Sequence, residues 1–377
     1  MLTIIFWGGL FLGLYPYLIY PLLAAAWGRV AERKIVSRPL APHVSILISA
    51  FNEARSIEGT VRNKLTQDYH GWVDVWVASD ASVDGTDEIV ERLAKEDPRV
   101  HLYRQEPRQG KTAALNALVT QARGDVFVFS DANSQYAPDA LAKLLSPFAD
   151  PSVGYVTGSM VYANPDGSLV GDGCSAYMRY ENWLRKTESK LGSLVGVDGG
   201  IDAVRRELYV PMRADQLPDF VLPLNVVEQG YRAVYAPEAL LCEEALNTQT
   251  AEFKMRVRVS LRALWALKDK AGLMLGKAGP RFAWQLVSHK LLRYLSFLPL
   301  SAAFLACAAL AVHSSFYLVL FTLYSLILLL AWAGAKGLDI APARYAYYFS
   351  LLNVASALAF WRFMKGEKQV LWQPRVG

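Results

Sequence analysis

The chain is short of cysteine, of charge and of the usual nucleotide-binding signatures. Its three cysteines, Cys174, Cys242 and Cys307, are far apart, odd in number and form no CxxC pair. Such spacing supports neither a disulfide framework nor a zinc site, and free thiols fit a reducing compartment. No GxGxxG follows the first strand-like run, so a dinucleotide is not expected. "QEPRQGKT" (105–112) ends like a phosphate loop, but that motif needs glycine where Gln105 stands, and an ATPase is rejected. Internal repeats and low-complexity tracts are missing as well. Only 19% of the residues are charged while 53% are hydrophobic, which is apolar for a soluble protein. The apolar excess sits at the two ends, which describes a membrane protein with a globular middle.

Residues 2–27 are almost wholly apolar or aromatic, long enough to span a bilayer. Arg29, Arg33, Lys34 and Arg38 follow this run rather than precede it, which favours an uncleaved anchor over a signal peptide. The positive-inside rule then puts residue 28 onwards in the cytoplasm. Three further apolar runs, 291–312, 316–335 and 345–361, can each span. Four spans would place the basic tail (Arg362, Lys365, Lys368, Arg375) outside, whereas its charge favours the cytoplasm, so the number of spans stays open. Between Phe253 and Arg293 there are ten Lys or Arg against one acid, Asp269. Beside long apolar runs, such a stretch points to an anionic membrane surface and not to nucleic acid. The expected organisation is an anchor over 1–28, a globular domain over 40–250, basic amphipathic interface helices over 251–290, membrane spans over 291–363 and a basic tail over 364–377.

Residues 44–150 alternate strand and helix. "VSILISA" (44–50), "VDVWVAS" (73–79), "VHLY" (100–103) and "DVFVFS" (125–130) read as strands. Thr86 is placed to cap a helix whose first turn carries Asp87 and Glu88, and Pro138 suits the first turn of another through Leu145. This alternation predicts an α/β fold with an open, mostly parallel sheet and helices on both faces. Ligands of such sheets bind beyond the carboxyl ends of the strands. Asn52 and Glu53, Asp80, and Asp131 with Asn133 follow three different strands and fall at that rim. A carboxylate at the edge of a core is costly unless something pairs with it.

Five stretches then occur in order: "SAFNEARSI", "ASDASVDGT", "QGKTAALNAL", "VFSDANS" and "LPDFVLPLNVVEQGYRAVYAPEA". Together they resemble the ordered motifs of membrane-bound family 2 glycosyltransferases, most of all the cellulose synthase and poly-N-acetylglucosamine synthase-like group. The resemblance covers about residues 44–260. It implies a GT-A fold, a nucleotide-sugar donor and a Mg²⁺ or Mn²⁺ cofactor. Carried over residue by residue, Ala50, Asn52 and Glu53 match the segment near the nucleobase and ribose, and Asp80 the acid that binds the nucleoside. Lys111 and Asn116 match donor-side positions. Asp131 matches the first acid of the DxD metal motif, with Asn133 in place of the second. An amide oxygen still ligates a hard cation but brings no charge. Asp219 matches the general base.

The processive members carry QxxRW, and the aligned stretch here is "MRVRV" (255–259). Met255 and Val259 replace Gln and Trp, while Arg258 survives as a planar donor for the diphosphate. Arg256, two residues away, faces elsewhere on a helix. Losing the Trp removes an aromatic platform for the terminal sugar. Trp183 and Trp265 are candidate substitutes, and Asp198 in "GVDGGIDAVRR" is a candidate acceptor contact.

The expectation is a multi-pass inner-membrane enzyme with a cytoplasmic catalytic domain. It would transfer a sugar with inversion from UDP-glucose or UDP-N-acetylglucosamine to a growing exopolysaccharide or other glycan, with membrane lipids and polysaccharide-export proteins as partners. Two alternatives stand beside it: transfer of one sugar to a lipid, and an inactive scaffold in a secretion complex.

Overall fold

Runs of β-branched and aromatic residues without polar alternation must be covered on both faces. In the computed structural model, which describes all residues except 164–171, 198, 245–248 and 372–377, four such runs form the parallel core of one sheet. They are β1 (Val44–Ala50), β2 (Val73–Asp80), β3 (Val100–Gln105) and β4 (Val126–Asp131). Every residue of β1 is buried. The second half adds β5 (Gln135–Tyr136), β6 (Val153–Ala163), β7 (Asp202–Arg205) and β8 (Arg232–Glu244), giving the order β3-β2-β1-β4-β7-β6-β8-β5. β7 runs antiparallel to β4 and β6, while β6 and β8 are parallel. The result is the expected α/β GT-A sheet.

The strand order runs outward from β1 in both directions. Right-handed crossovers therefore place the Ile57–Leu65 and Thr86–Glu96 helices on one face and the Lys111–Gln121 helix on the other. The gap between the carboxyl ends of β1 and β4 is the switch point where such sheets take ligands. Thr86 does not cap its helix. It is the first helical residue after Gly85, and the Asp84 carboxylate accepts its N–H at 3.1 Å. The helix after Pro138 starts two residues late, at Ala140.

The chain forms two compact units. One holds the sheet and comprises 28–170, 181–245 and 369–377. The other comprises 1–27, 171–180 and 246–368 and is helical. The number of spans, left open by the sequence, can be narrowed here. Residues 2–27 fold as two helices, Leu2–Leu14 and Ile19–Val30, bent by 52°. Pro280–Leu295 and Phe297–Ala311 are likewise bent by 54°, with a π-helical turn at Val287–Leu291. Ser315–Ala335 is a single apolar helix of 21 residues with mean hydropathy 2.2. Among the described residues one helix is thus long and apolar enough to cross a membrane, or three if each bent pair is one span. The 345–361 run belongs to a 24-residue helix, Ala341–Met364, that is too polar to join them.

Within the basic stretch, the Gln249–Asp269 helix buries Val257, Leu261 and Leu264 against Ala355 and Ala359. Arg256 is engaged inside this helical unit: its Nε donates to Glu252 at 2.8 Å and its NH2 group to the Tyr348 hydroxyl at 2.7 Å. A guanidinium withdrawn from water needs such partners.

Candidate active site

Asp80 and Asp131 close two strands of the same sheet, yet their surroundings differ. The Asp80 side chain is 0% exposed. Its carboxylate accepts from Gln105 Nε2 at 2.5 Å, from the Gln109 N–H at 2.8 Å and from the Gly110 N–H at 3.0 Å. Arg108 Nε adds a contact at 3.3 Å, and its guanidinium lies 3.4 Å from the centre of the Phe51 ring. Asp80 therefore anchors the 105–110 loop at the carboxyl edge of β2. Gly110, at φ +93°, makes the turn that aims two successive N–H groups at one carboxylate.

The end of β1 is used in a similar way. Ala50 is fully buried opposite Ser79 at the end of β1. Asn52 sits at φ +55°, and its Oδ1 accepts the Val83 N–H at 2.9 Å. The Glu53 N–H donates to Thr86 Oγ1 at 2.9 Å, and the Glu53 carboxylate accepts from Ser56 Oγ at 2.7 Å. These bonds tie the β1 and β2 loops into one rigid ledge.

Asp131 is different. Its side chain is 31% exposed, and Lys111 Nζ donates to it at 2.7 Å. The same ammonium lies 3.5 Å from Asp219 Oδ1, whose side chain is 25% exposed. Burial opposes the charge on Lys111, but Asp131 and Asp219 outweigh it and hold the ammonium above its usual range. Asp219 stands in the first turn of the Pro218–Glu228 helix. A Cβ on Gly199 would lie 2.8 Å from its Cγ, at φ +81°, so only glycine lets this loop close on the base candidate.

Three residues that sequence reasoning passed over hold the metal-motif loop from behind. Thr60 Oγ1 donates to the Ala132 carbonyl at 2.8 Å, Lys64 Nζ to the Ser134 carbonyl at 2.6 Å, and Asn63 Oδ1 accepts the Tyr136 N–H at 2.8 Å. Lys64 is fully buried, and burial pulls its ammonium well below the usual range. The signal was available: positions 60, 63 and 64 form a polar stripe at helical spacing beside buried Ile57 and Val61.

Asn116 also has another task. Its Nδ2 donates to the Met212 carbonyl at 2.6 Å, and its Oδ1 accepts from the Tyr209 hydroxyl at 2.7 Å and the Met212 N–H at 3.1 Å. With both ends of the amide engaged, it clamps the segment leading to Asp219.

A cation fits here in one way. Among the described residues no group of three or more His, Cys, Asp or Glu could hold a metal, so an all-protein cage is not offered. The ammonium already stands where a positive charge is wanted, beside Asp131. Asp131 and Asn133, one carboxylate and one amide, are the residues that would offer oxygens to Mg²⁺ or Mn²⁺. Of the acceptor candidates, Trp183 is exposed on the Asp172–Leu191 helix, and Asp198 lies outside the described residues. Arg258 belongs to the helical unit, half-buried on Gln249–Asp269.

Comparison with known proteins decides the class. Residues 45–209 match the family model "Glycosyl transferase family 2". This segment is a family 2 glycosyltransferase domain. The β-monoglucosyldiacylglycerol synthase of Trichormus variabilis is 27% identical to the chain over 306 residues, covering 78% of this chain and 65% of the synthase. An N-acetylglucosaminyltransferase of Rhizobium meliloti is 26% identical over 248 residues, 61% of this chain and 57% of that enzyme. This chain therefore spans less than two thirds of the length of either relative. Among solved structures, the mannosyltransferase PcManGT of Pyrobaculum calidifontis, in complex with GDP-Man and Mn²⁺, superposes with a TM-score of 0.77 at 25% identity. It covers 97% of this chain and 100% of its own, so the likeness extends beyond the transferase domain to the helices.

Proposed function

We propose that the protein is a metal-dependent, inverting hexosyltransferase that moves one sugar from a nucleoside-diphosphate sugar to a lipid acceptor at a membrane. The carrying observation is that one ammonium, Lys111, spans Asp131 at 2.7 Å and Asp219 at 3.5 Å, setting a cation site beside a base. The acceptor hydroxyl attacks the anomeric carbon, the bond to the diphosphate breaks, and the hydroxyl proton passes to Asp219. A single displacement of this kind inverts the anomeric centre. The hydroxyl is too weak an acid to ionise alone at neutral pH, and that is what the carboxylate supplies. Asp131 and Asn133 are the residues that would hold a Mg²⁺ or Mn²⁺, which would supply positive charge to the departing diphosphate. Asp80, through the 105–110 loop, and Asn52 with Glu53 shape the nucleoside ledge. Arg258, Asp198 and Trp183 are assigned to the diphosphate and acceptor side.

The lipid acceptor is supported by the glucosyldiacylglycerol relative and by the loss of the stacking Trp at Val259, which a growing chain would need. Export of a glycan polymer is the second reading, favoured by the N-acetylglucosaminyltransferase relative. A multi-pass inner-membrane location with a cytosolic transferase domain belongs to the same proposal. UDP-glucose and UDP-N-acetylglucosamine are the proposed donors. GDP-mannose joins them because of the mannosyltransferase likeness. Purified protein given each labelled donor with Mn²⁺ and diacylglycerol-containing vesicles should yield a lipid carrying one sugar. A long water-soluble polymer would replace the lipid reading, and no transfer from any donor would end both.

A further inference from the structure

One buried acid is unaccounted for by this mechanism. Asp202 pairs with Phe129 on β4 and with Thr157 on β6, so its side chain shares a sheet face with Asp131, two residues beyond Phe129. It is 2% exposed. Thr157 and Tyr155 hydrogen-bond its carboxylate, yet Oδ1 has no partner among the described residues. A buried carboxylate oxygen left unsatisfied is costly, and its retention asks for a reason. The charges that act on it are Asp219 and Lys111, the base and the ammonium of the site just described.

Resting on the transferase reading, we propose that Asp202 is a positioning residue for Lys111, its unpartnered Oδ1 receiving the ammonium when a divalent cation takes Asp131. Ammonium and metal cannot share Asp131, because like charges at contact distance repel. A displaced ammonium in a mostly buried site still needs an anion. Moving fully onto Asp219 would stabilise that carboxylate and weaken it as a base. Asp202 offers a buried carboxylate oxygen with no hydrogen-bond partner among the described residues, and the exchange leaves Asp219 available to the acceptor hydroxyl. The ammonium thus guards the cation site before loading and has a second berth afterwards.

The test is Mn²⁺ affinity of the full chain, read by electron paramagnetic resonance with UDP and separately with GDP. Asp202→Asn keeps the acceptors for Tyr155 and Thr157 but removes the charge, and should weaken Mn²⁺ by about tenfold or more. Lys111→Met should tighten Mn²⁺, and in that background Asp202→Asn should change affinity less than about twofold. An equal loss in both backgrounds overturns the inference, since Asp202 would then act on the cation itself or on folding. Unchanged affinity in Asp202→Asn overturns it too. Wild-type protein that binds no Mn²⁺ with either nucleotide overturns the transferase reading, and the inference with it.

Discussion

Asp80 and Asp131 look alike in sequence: each is the last residue of a parallel strand, and each opens onto the same rim. The chain saturates Asp80 with two backbone N–H groups, an amide and an arginine, and buries it completely. Asp131 has a lysine beside it and keeps nearly a third of its side chain open. A carboxylate satisfied by its own backbone gives up several hydrogen bonds at once when it changes partner. One paired with a flexible ammonium can exchange that partner for a ligand of higher charge. The contrast separates the residues that build the ledge from those that work on it.

The strongest way to break this division is at the base. Asp219→Asn should lower turnover by roughly 10²–10⁴ while nucleoside diphosphate and Mn²⁺ still bind. Near-normal turnover, measured by release of the nucleoside diphosphate, would remove Asp219 from its role. Asp131→Ala should then weaken Mn²⁺ by more than about a hundredfold with an unchanged melting temperature. Asp80→Ala should do the opposite first. It strips the acceptor from the Gln109 and Gly110 N–H groups and should cost about 3 kcal/mol in chemical denaturation, with donor affinity falling as a consequence. If both alanine variants lose Mn²⁺ and neither loses stability, the distinction fails. Asn116→Ala should cost about 1–2 kcal/mol and lower kcat more than donor affinity, because the 209–216 segment positions Asp219.

The smallest expected effect is a pH dependence. Burial, then the nearby Asp219, raises Asp202 from the ordinary 3.8 to about 7. Between those values the folded protein holds a proton that the unfolded chain has released. The associated stability is therefore present in full below about pH 4 and is lost as pH rises through 7. Asp202→Asn should flatten that part of the profile. An unchanged slope between pH 4 and 7 would show that Asp202 does not titrate there.

Much of the sheet was legible because β1 and β4 are nearly continuous apolar runs and β2 and β3 are short β-rich runs, all punctuated by turn residues, a pattern that depends on neighbours in sequence. The half-spans at Leu2–Leu14 and Ile19–Val30 were not, since hydropathy averages over a run and registers no bend. Lys64 and Asp202, together with the clamping role of Asn116, escaped for a related reason. Each acts on a segment far away in sequence, at separations of 70, 96 and 73 residues for Ser134, Met212 and Phe129.

Local order, then, was written in the chain itself: strands where burial on both faces demands β-branched residues, acids where strands end, and an ordered series of motifs that fits a family 2 transferase domain. Which acid is enclosed and which stays open was decided only when the tertiary structure folded the 105–110 loop over Asp80 and brought Lys111 between Asp131 and Asp219. The physical reason is that a carboxylate's role depends on which donors reach it, and those donors arrive from other elements of the fold.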